Sequence, residues 1–407
     1  MATLNDILQA RDARQREQQR LLRRWGCTLV CFTMNIAGAE KRSALIDYVF
    51  DRGRDSLLHQ LPALFSQTIR RPAGNEFYLV SPLPAPDVKR ICLSLEDSAV
   101  GRLYDMDVLT PEGDKLSRAE PRRCLLCERP AFLCAHDAKH GQSAVIEETQ
   151  RRLRAFAADA LAASAVQALR DEVCLTPKPG LVDAGNSGAH SDMSLPLFLA
   201  SAEALRPYFH FCAATAMETP DCMRLLQEAG KEAERVMLRV TGGINTHKGS
   251  IYSLGLLTAA AGAVLCHGRS LYEQAAAYAR AGAKPDATSN GSLALSRYSG
   301  RGARQEAEEG YPLAQKAVRL LRLGFPPEEL VLYLILECQD TNVLHRGGMD
   351  GLRFARCWAK RVLSAEPARR PALLADMDRA MIARNLSPGG CADLLATAFF
   401  LRHLPFA

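Results

Sequence analysis

The spacing of apolar residues changes character several times along this chain. Over residues 6–24 the positions Leu4, Ile7, Leu8, Leu21 and Leu22 flank a middle rich in Arg, Gln and Glu, a pattern that predicts an opening helix. From residue 28 the pattern turns β-like. Short apolar runs at 28–34, 77–80 and 90–95, each bounded by Gly, Pro, Asn or Asp, predict strands, and 43–54 and 56–68 predict helices between them. Beyond a Cys-rich stretch at 124–140, residues 143–173 carry a long Ala/Arg/Leu helix pattern. Helical spacing then continues to the end, broken by Gly- and Pro-rich loops. The most apolar run, 251–266, contains Ser253, Gly255, Thr258 and Gly262 and is shorter than the roughly 20 residues that cross a bilayer, so it predicts a buried helix and no membrane association. The expected architecture is multidomain: an N-terminal α+β domain at 1–150 followed by a mostly all-α C-terminal domain at 151–407.

Composition narrows this picture. At roughly 150 residues per domain, 407 residues suit two or three domains. With 48% hydrophobic and 24% charged residues, disordered and fibrous classes are excluded, and an aromatic share of only 6% favours helices over sandwiches. The segment before Arg24 lacks the apolar core of a secretory signal. Thirteen cysteines, an odd number, therefore point to a reducing, cytoplasmic setting in which thiols are metal ligands or small core residues rather than disulfides. The net charge is +6: 21 basic against 20 acidic residues up to Gln150, and 30 against 25 thereafter. That modest excess suits small anionic substrates such as nucleotides; the basic stripe of a nucleic-acid binder is missing.

Two clusters in the first half carry chemistry. Gly101-Arg102-Leu103-Tyr104-Asp105-Met106-Asp107-Val108 places two carboxylates at i and i+2, on one face if the segment is extended. Such a pair holds a Mg²⁺ that bridges phosphate oxygens, or else forms a solvated acidic turn. Cys124-Leu-Leu-Cys127, Cys134, His136 and His140 supply three thiols and two imidazoles within 17 residues. Cys124, Cys127, Cys134 and His140 are the candidate Zn²⁺ ligands; the alternative is packed thiols with a phosphate-binding His140.

These residues carry a resemblance. Phe32-Thr-Met-Asn-Ile-Ala-Gly38 with Lys41, the block 101–108, Ser117-Arg118 and Arg123-Cys-Leu-Leu-Cys127 with His140 resemble the apo-citrate lyase phosphoribosyl-dephospho-CoA transferases, with Ala37 standing where Pro is expected. The resemblance covers most of residues 10–145. It implies transfer of a prosthetic group to a serine of the acyl carrier (gamma) subunit of citrate lyase, with release of pyrophosphate. Asp105 and Asp107 would then hold Mg²⁺, and Arg102, Lys41 and Arg118 would offset developing charge.

In the second half, Glu172-Val-Cys-Leu-Thr-Pro-Lys178-Pro-Gly180-Leu-Val-Asp183 is followed by Asn186-Ser-Gly188-Ala-His190-Ser-Asp192-Met193, an unusual density of charge among turn-forming residues. Lys178 suits a phosphate, and Asp183 or Asp192 a metal. Thr241-Gly-Gly243-Ile-Asn245-Thr-His247-Lys248-Gly249 runs into the apolar helix, so a Gly-rich loop, a cation and a helix N-terminus converge on one anion site. Three further blocks, with Arg304 and Glu306 after Gly302, Asp340 and Arg346 before Gly348, and Ser387 to Asp393 around Gly390, each set a charge beside Gly at a helix boundary, where it either points into a shared cleft or makes a cap or surface salt bridge.

In this order the blocks resemble the triphosphoribosyl-dephospho-CoA synthases over residues 165–400, with Gln305 where Gly is usual. That likeness implies conversion of ATP and 3'-dephospho-CoA to 2'-(5''-triphosphoribosyl)-3'-dephospho-CoA and adenine. It places Lys178, Lys248, Asn245, Arg304, Glu306 and Arg346 on substrates. Asp183, Asp192, Asp340 and Asp393 would bind Mg²⁺ or ribose, and His190 and His247 would move protons. The two resemblances are consecutive steps of one pathway, so the expectation is a fused bifunctional transferase. The alternatives are a zinc-bound, non-catalytic carrier-docking module at 101–140, and a synthase serving malonate decarboxylase.

Overall fold

The computed structural model describes residues 2–283 and 302–407, which fall into two compact units, Met1–Ala157 and Ala158–Ala407.

The first unit is built on a four-stranded antiparallel sheet. Its strands are β1 (Thr28–Met34), β2 (Phe65–Arg71), β3 (Gly74–Ser81) and β4 (Tyr104–Leu109), in the order β2-β3-β1-β4. Strand β1 is central, and the register sets Cys31 beside Asp107 and Thr33 beside Asp105. Because side chains alternate, Leu29, Cys31 and Leu109 share one face with the two aspartates, and Val30, Phe32, Met106 and Val108 share the other. Helix α1 (Leu4–Trp25) covers the first face through Leu21, which packs with Leu29, Cys31, Tyr78 and Val80. Thr3 and Asp6 close its N-terminus as a capping box. Helices α2 (Ala44–Gln60) and α3 (Ala85–Glu96) cover the opposite face, where Phe32 stacks on Phe50 with centroids 4.7 Å apart.

Two sequence expectations fail here. Residues 90–95, expected as a strand, lie within α3. Ile91, Leu93 and Leu95 alternate as a strand would, but Pro84 opens a helix whose Ala85, Val88, Lys89, Cys92 and Glu96 are buried at intervals of three and four. Residues 56–68, expected as a helix, are divided. Helix α2 runs on to Gln60 and stops before Leu61-Pro62, and the chain then becomes β2, an edge strand whose Ser66, Gln67, Thr68 and Arg70 leave no apolar alternation to read.

The short helix α4 (Ala131–His136) follows, then α5 (Gln142–Cys174), which contains the division between the units. The described part of the second unit is helical: α6 (Leu195–Ala204), α7 (Arg206–Glu218), α8 (Met223–Val240), α9 (Lys248–His267), α10 (Leu271–Ala281), α11 (Ala303–Glu308), α12 (Pro312–Arg322), α13 (Pro327–Glu337), α14 (Thr341–Leu363), α15 (Arg370–Ala383) and α16 (Gly389–Arg402). Helix α9 is the hub, packed by α7, α8, α10 and α16. By length and composition it is apolar enough to cross a bilayer, but most of it is buried inside the unit as a core helix.

Two candidate active sites

In the first unit, β4 presents Asp105 and Asp107 on one face as the register requires. Lys115 lies 2.7 Å from Asp107, and Arg122 donates to Asp105 at 3.0 Å. Burial raises the Asp105 carboxyl above its ordinary range, with the neighbouring Asp107 adding to the effect. The organiser is Glu96 at the end of α3, only 1% exposed. It accepts from the Met106 amide at 2.7 Å, from Arg118 at 2.6 Å and from Arg122 at 2.5 Å. Gly101 makes this possible, since a Cβ there would stand 2.1 Å from the Leu95 carbonyl oxygen. Burial and the nearby Arg122, Arg118 and Arg152 lower the pKa of Arg102. Among the described residues no carboxylate pairs with it, whereas Arg118 and Arg122 are bound to Glu96. Lys41 turns back on its own loop and donates to the Ile36 carbonyl at 2.5 Å beside a cavity of about 450 Å³. Asp105, Asp107, Arg102 and Arg118 thus share one neighbourhood, while Lys41 lines the cavity together with Ile7, Ala10, Arg11 and Arg14 of α1. Glu96 and Arg122 were not legible as site residues.

Cys124, Cys127, Cys134 and His140 converge in the same unit, with one ligand atom from each lying within 4.8 Å of the others. His136, the fifth candidate, turns to Asp137 at 3.1 Å.

The second unit holds a cavity of about 1,100 Å³. The N-termini of α9, α14 and α16 all line it, through Asn245–Ser250, Asp340–Asn342 and Gly389–Leu394. Positive helix ends converging on a cavity make an anion site. Asn245 accepts from the Lys248 amide at 3.2 Å, and Lys248 pairs with Glu234 at 3.0 Å. Asp393 reaches back to α9 and accepts from Ser250 Oγ at 2.5 Å. Gly249 leaves room for it, because a Cβ there would come within 2.0 Å of its carboxylate. Burial, and the like charges of Glu172 and Asp340, outweigh the Ser250 bond and push the Asp393 carboxyl up to about 7.

His247, buried at the start of α9, shares Ser201 Oγ through Nδ1 at 2.8 Å, while its Nε2 has no partner among the described residues. Burial, reinforced by Lys178, pulls its pKa down to about 3, so the ring is neutral. His190 lies between Ser387 Oγ, 3.0 Å from Nε2, and Arg346, 3.3 Å from Nδ1. Since a guanidinium only donates, Nδ1 accepts and Nε2 carries the hydrogen. Burial and Arg346 lower the pKa of His190.

Other expected residues serve the framework. Lys178 is 1% exposed and bound to Glu172 at 2.5 Å. Asp183 does not line the cavity: its oxygens accept from the amides of Lys178, Gly185 and Asn186. Asp340 lines it but spends its oxygens on the amides of Asn342, Val343 and Cys391, capping α14 and tying it to α16. Asp192 is exposed, 4.0 Å from His190, and outside the lining. Arg304 also stands outside it, paired with Glu308 at 2.6 Å and donating to the carbonyls of Gly282 and Ala283. Glu306 lines the cavity and caps α12 through the Leu313 and Ala314 amides. Residues not singled out beforehand, Glu172, Ser250, Lys316 and Ser387, also line it. Glu172 and Ser387 open two of the motif blocks and Ser250 follows a third, whereas Lys316 has no motif signal.

A family model for apo-citrate lyase phosphoribosyl-dephospho-CoA transferase matches residues 2–156, and one for ATP:dephospho-CoA triphosphoribosyl transferase matches residues 158–406. Protein CitXG of Haemophilus influenzae is 35% identical, with 98% of this chain and 96% of the relative covered. The 2-(5''-triphosphoribosyl)-3'-dephosphocoenzyme-A synthases of Haemophilus ducreyi and Pectobacterium atrosepticum are 37% and 40% identical over 69% and 58% of this chain, and 99% and 87% of their own lengths. With both matches in tandem and a full-length relative of the same arrangement, the chain belongs to the family of fused transferases that join an apo-citrate lyase phosphoribosyl-dephospho-CoA transferase to an ATP:dephospho-CoA triphosphoribosyl transferase.

Proposed function

We propose that residues 151–407 build the citrate lyase prosthetic-group precursor and that residues 1–150 install it. The observation carrying this reading is the tandem order of two family matches, the second of them over a cavity ringed by helix N-termini. In the second unit the 2'-hydroxyl of dephospho-CoA attacks C1' of the ATP ribose; the C1'–O bond forms and the bond to adenine N9 breaks. Asp393, half-ionised near neutral pH, accepts the hydroxyl proton, and the departing adenine takes one up. With Ser201 donating to its Nδ1, His247 presents Nε2–H as a hydrogen-bond donor to the leaving base. Lys248, Arg346 and the three helix ends hold phosphates.

In the first unit a serine oxygen of an acyl carrier protein, the citrate lyase gamma subunit, attacks the phosphorus nearest the added ribose; the serine O–P bond forms, the P–O bond to pyrophosphate breaks, and the serine proton leaves on the pyrophosphate. Arg102 takes the developing charge, Arg122 and Arg118 hold the site through Glu96, and Lys41 lies on the cavity side. Two carboxylates on one strand face fit a Mg²⁺ completed by substrate phosphate oxygens, whose charge it would neutralise when bound. In the second unit Asp183 and Asp340 are spent on amides, which leaves Asp393 as the carboxylate able to act as the base. A cytoplasmic setting, where ATP and dephospho-CoA are available, fits this reading.

The test incubates the chain with ATP, dephospho-CoA, Mg²⁺ and the gamma subunit, following adenine by chromatography and carrier mass by mass spectrometry. Adenine release without carrier modification, even with pre-made precursor, would overturn the two-step reading.

A further inference from the structure

We propose that Cys124, Cys127, Cys134 and His140 bind one structural Zn²⁺, and that this ion holds the loop carrying Arg122 and Arg118 in place. Cys127 and Cys134 have their sulfurs 3.5 Å apart, and His140 Nε2 is 3.4 Å from the Cys127 sulfur. Zn–S bonds of about 2.3 Å and a Zn–N bond of about 2.0 Å in a tetrahedron require S–S edges of about 3.8 Å and S–N edges of about 3.5 Å. Two of the edges already stand near these lengths, and all four donor atoms lie within 4.8 Å of one another. Three thiolates and an imidazole form a closed shell that leaves no position for substrate, which marks a structural site.

The local backbone is shaped for it. The Cys124 amide donates to the Arg129 carbonyl at 2.7 Å and the Ala131 amide to the Arg122 carbonyl at 2.7 Å, folding the Cys-x-x-Cys segment into a tight knuckle. The Leu126 amide then points at the Cys124 sulfur at 3.5 Å, as a ligating thiolate needs. Packing does not explain the cluster. Of the four only Cys134 is buried, and the neighbouring apolar side chains face outward, with Leu126, Phe132 and Leu133 37%, 62% and 37% exposed. A segment with so little core of its own needs a staple.

The staple bears on chemistry because Arg122 lies two residues before Cys124 and bridges Glu96 and Asp105. Arg152 ties the same loop to the turn before β4, donating to the carbonyls of Leu125 and Ala99 at 3.2 and 2.9 Å. This consequence, unlike the metal binding itself, rests on the transferase reading of the first unit.

The test measures zinc by plasma mass spectrometry in full-length protein purified without chelator. One equivalent per chain is expected, replaceable by Co²⁺ with the intense visible bands of a tetrahedral thiolate site. Cys127→Ser and His140→Ala should each lose the metal and lower carrier modification by about tenfold or more, with adenine release unchanged. Should the variants misfold, chelator treatment and Zn²⁺ or Co²⁺ readdition to the native chain give the same readout. Protein free of zinc, or holding another metal, would overturn the proposal. So would a zinc-stripped chain that modifies the carrier at full rate, an outcome that leaves the transferase reading intact.

Discussion

Replacing Asp393 by Asn should make the second unit more stable at alkaline pH while destroying its activity. The carboxyl is buried beside Glu172 and Asp340 and titrates near 7, against an unfolded value near 4. The folded state therefore binds one proton more than the unfolded state between those limits. Stability contributed by this group is full below about pH 4, falls as pH rises, and is flat above about 7. Three pH units at about 1.4 kcal/mol each make a penalty of about 4 kcal/mol at pH 8, of which about 2 kcal/mol accrues between pH 5.5 and 8. Asn keeps an acceptor for Ser250 and carries no such penalty. Trp25 and Trp358 are the chain's two tryptophans, so in a Trp25→Phe background fluorescence follows the second unit alone. With a urea slope of about 3 kcal/mol/M, the parent midpoint should drop about 0.7 M more than the Asn variant's between pH 5.5 and 8. Adenine release should fall by about 10²–10⁴ in the variant, and in the parent it should decline below pH 7 as Asp393 protonates. Identical pH slopes for parent and variant would refute the assignment.

Three other perturbations separate the sites. Lys248→Met should abolish precursor formation while transfer of pre-made precursor to the carrier continues; loss of both in a folded protein would sink the two-site arrangement. Gly249→Ala drives a methyl group into the Asp393 carboxylate and should cost adenine release at least tenfold, with the transferase untouched; full synthase activity would show that Asp393 need not approach α9. Asp105→Asn should remove carrier modification and spare adenine release, with gamma-subunit binding retained in a pull-down; residual transfer near the parent rate would return the segment to a docking role.

The sequence was legible where one physical signal dominated. Helical patterning located α1 and α5, the length of one apolar run marked α9 as a buried helix, and the i, i+2 spacing of Asp105 and Asp107 meant a shared face once the segment proved to be the strand β4. It misled where two periods overlap, as at Ile91, Leu93 and Leu95, which alternate although burial follows Val88, Cys92 and Glu96. It also misled at β2, an edge strand with too few apolar residues to betray itself, whose residues 65–68 fell within the helix expected over 56–68. Motif blocks located the second cavity, yet they did not separate residues that face ligand from those that hold backbone. Asp183 and Arg304 carry the charges of a phosphate or metal site, but Asp183 is taken up by the amides of its own turn, at Lys178, Gly185 and Asn186, and Arg304 by the carbonyls of Gly282 and Ala283, which it meets only in the fold. Glu96 went unseen for the converse reason. Its partners Arg118 and Arg122 lie more than twenty residues away in sequence.

That division of labour bears on how the cavity holds two polyanions. Its motif cations are largely engaged: Lys178 with Glu172, Lys248 with Glu234, and Arg346 with Asn385 and the Ala189 carbonyl. Glu172, Glu306, Asp340 and Asp393 contribute negative charge or potential charge to the same lining. A triphosphate and dephospho-CoA would meet few free side-chain cations there, so the helix N-termini, with a divalent ion if one arrives with ATP, would carry much of the compensation. Burial keeps His247 neutral and leaves Asp393 poised near 7, so the unloaded cavity avoids charges it would have to desolvate alone. A cation arriving with ATP would favour the ionised form of Asp393, switching on its capacity to accept the 2'-hydroxyl proton as the reactants assemble. The pH at which adenine release is half-maximal should then move downward as Mg²⁺ is raised, and the Asn variant should show no such coupling.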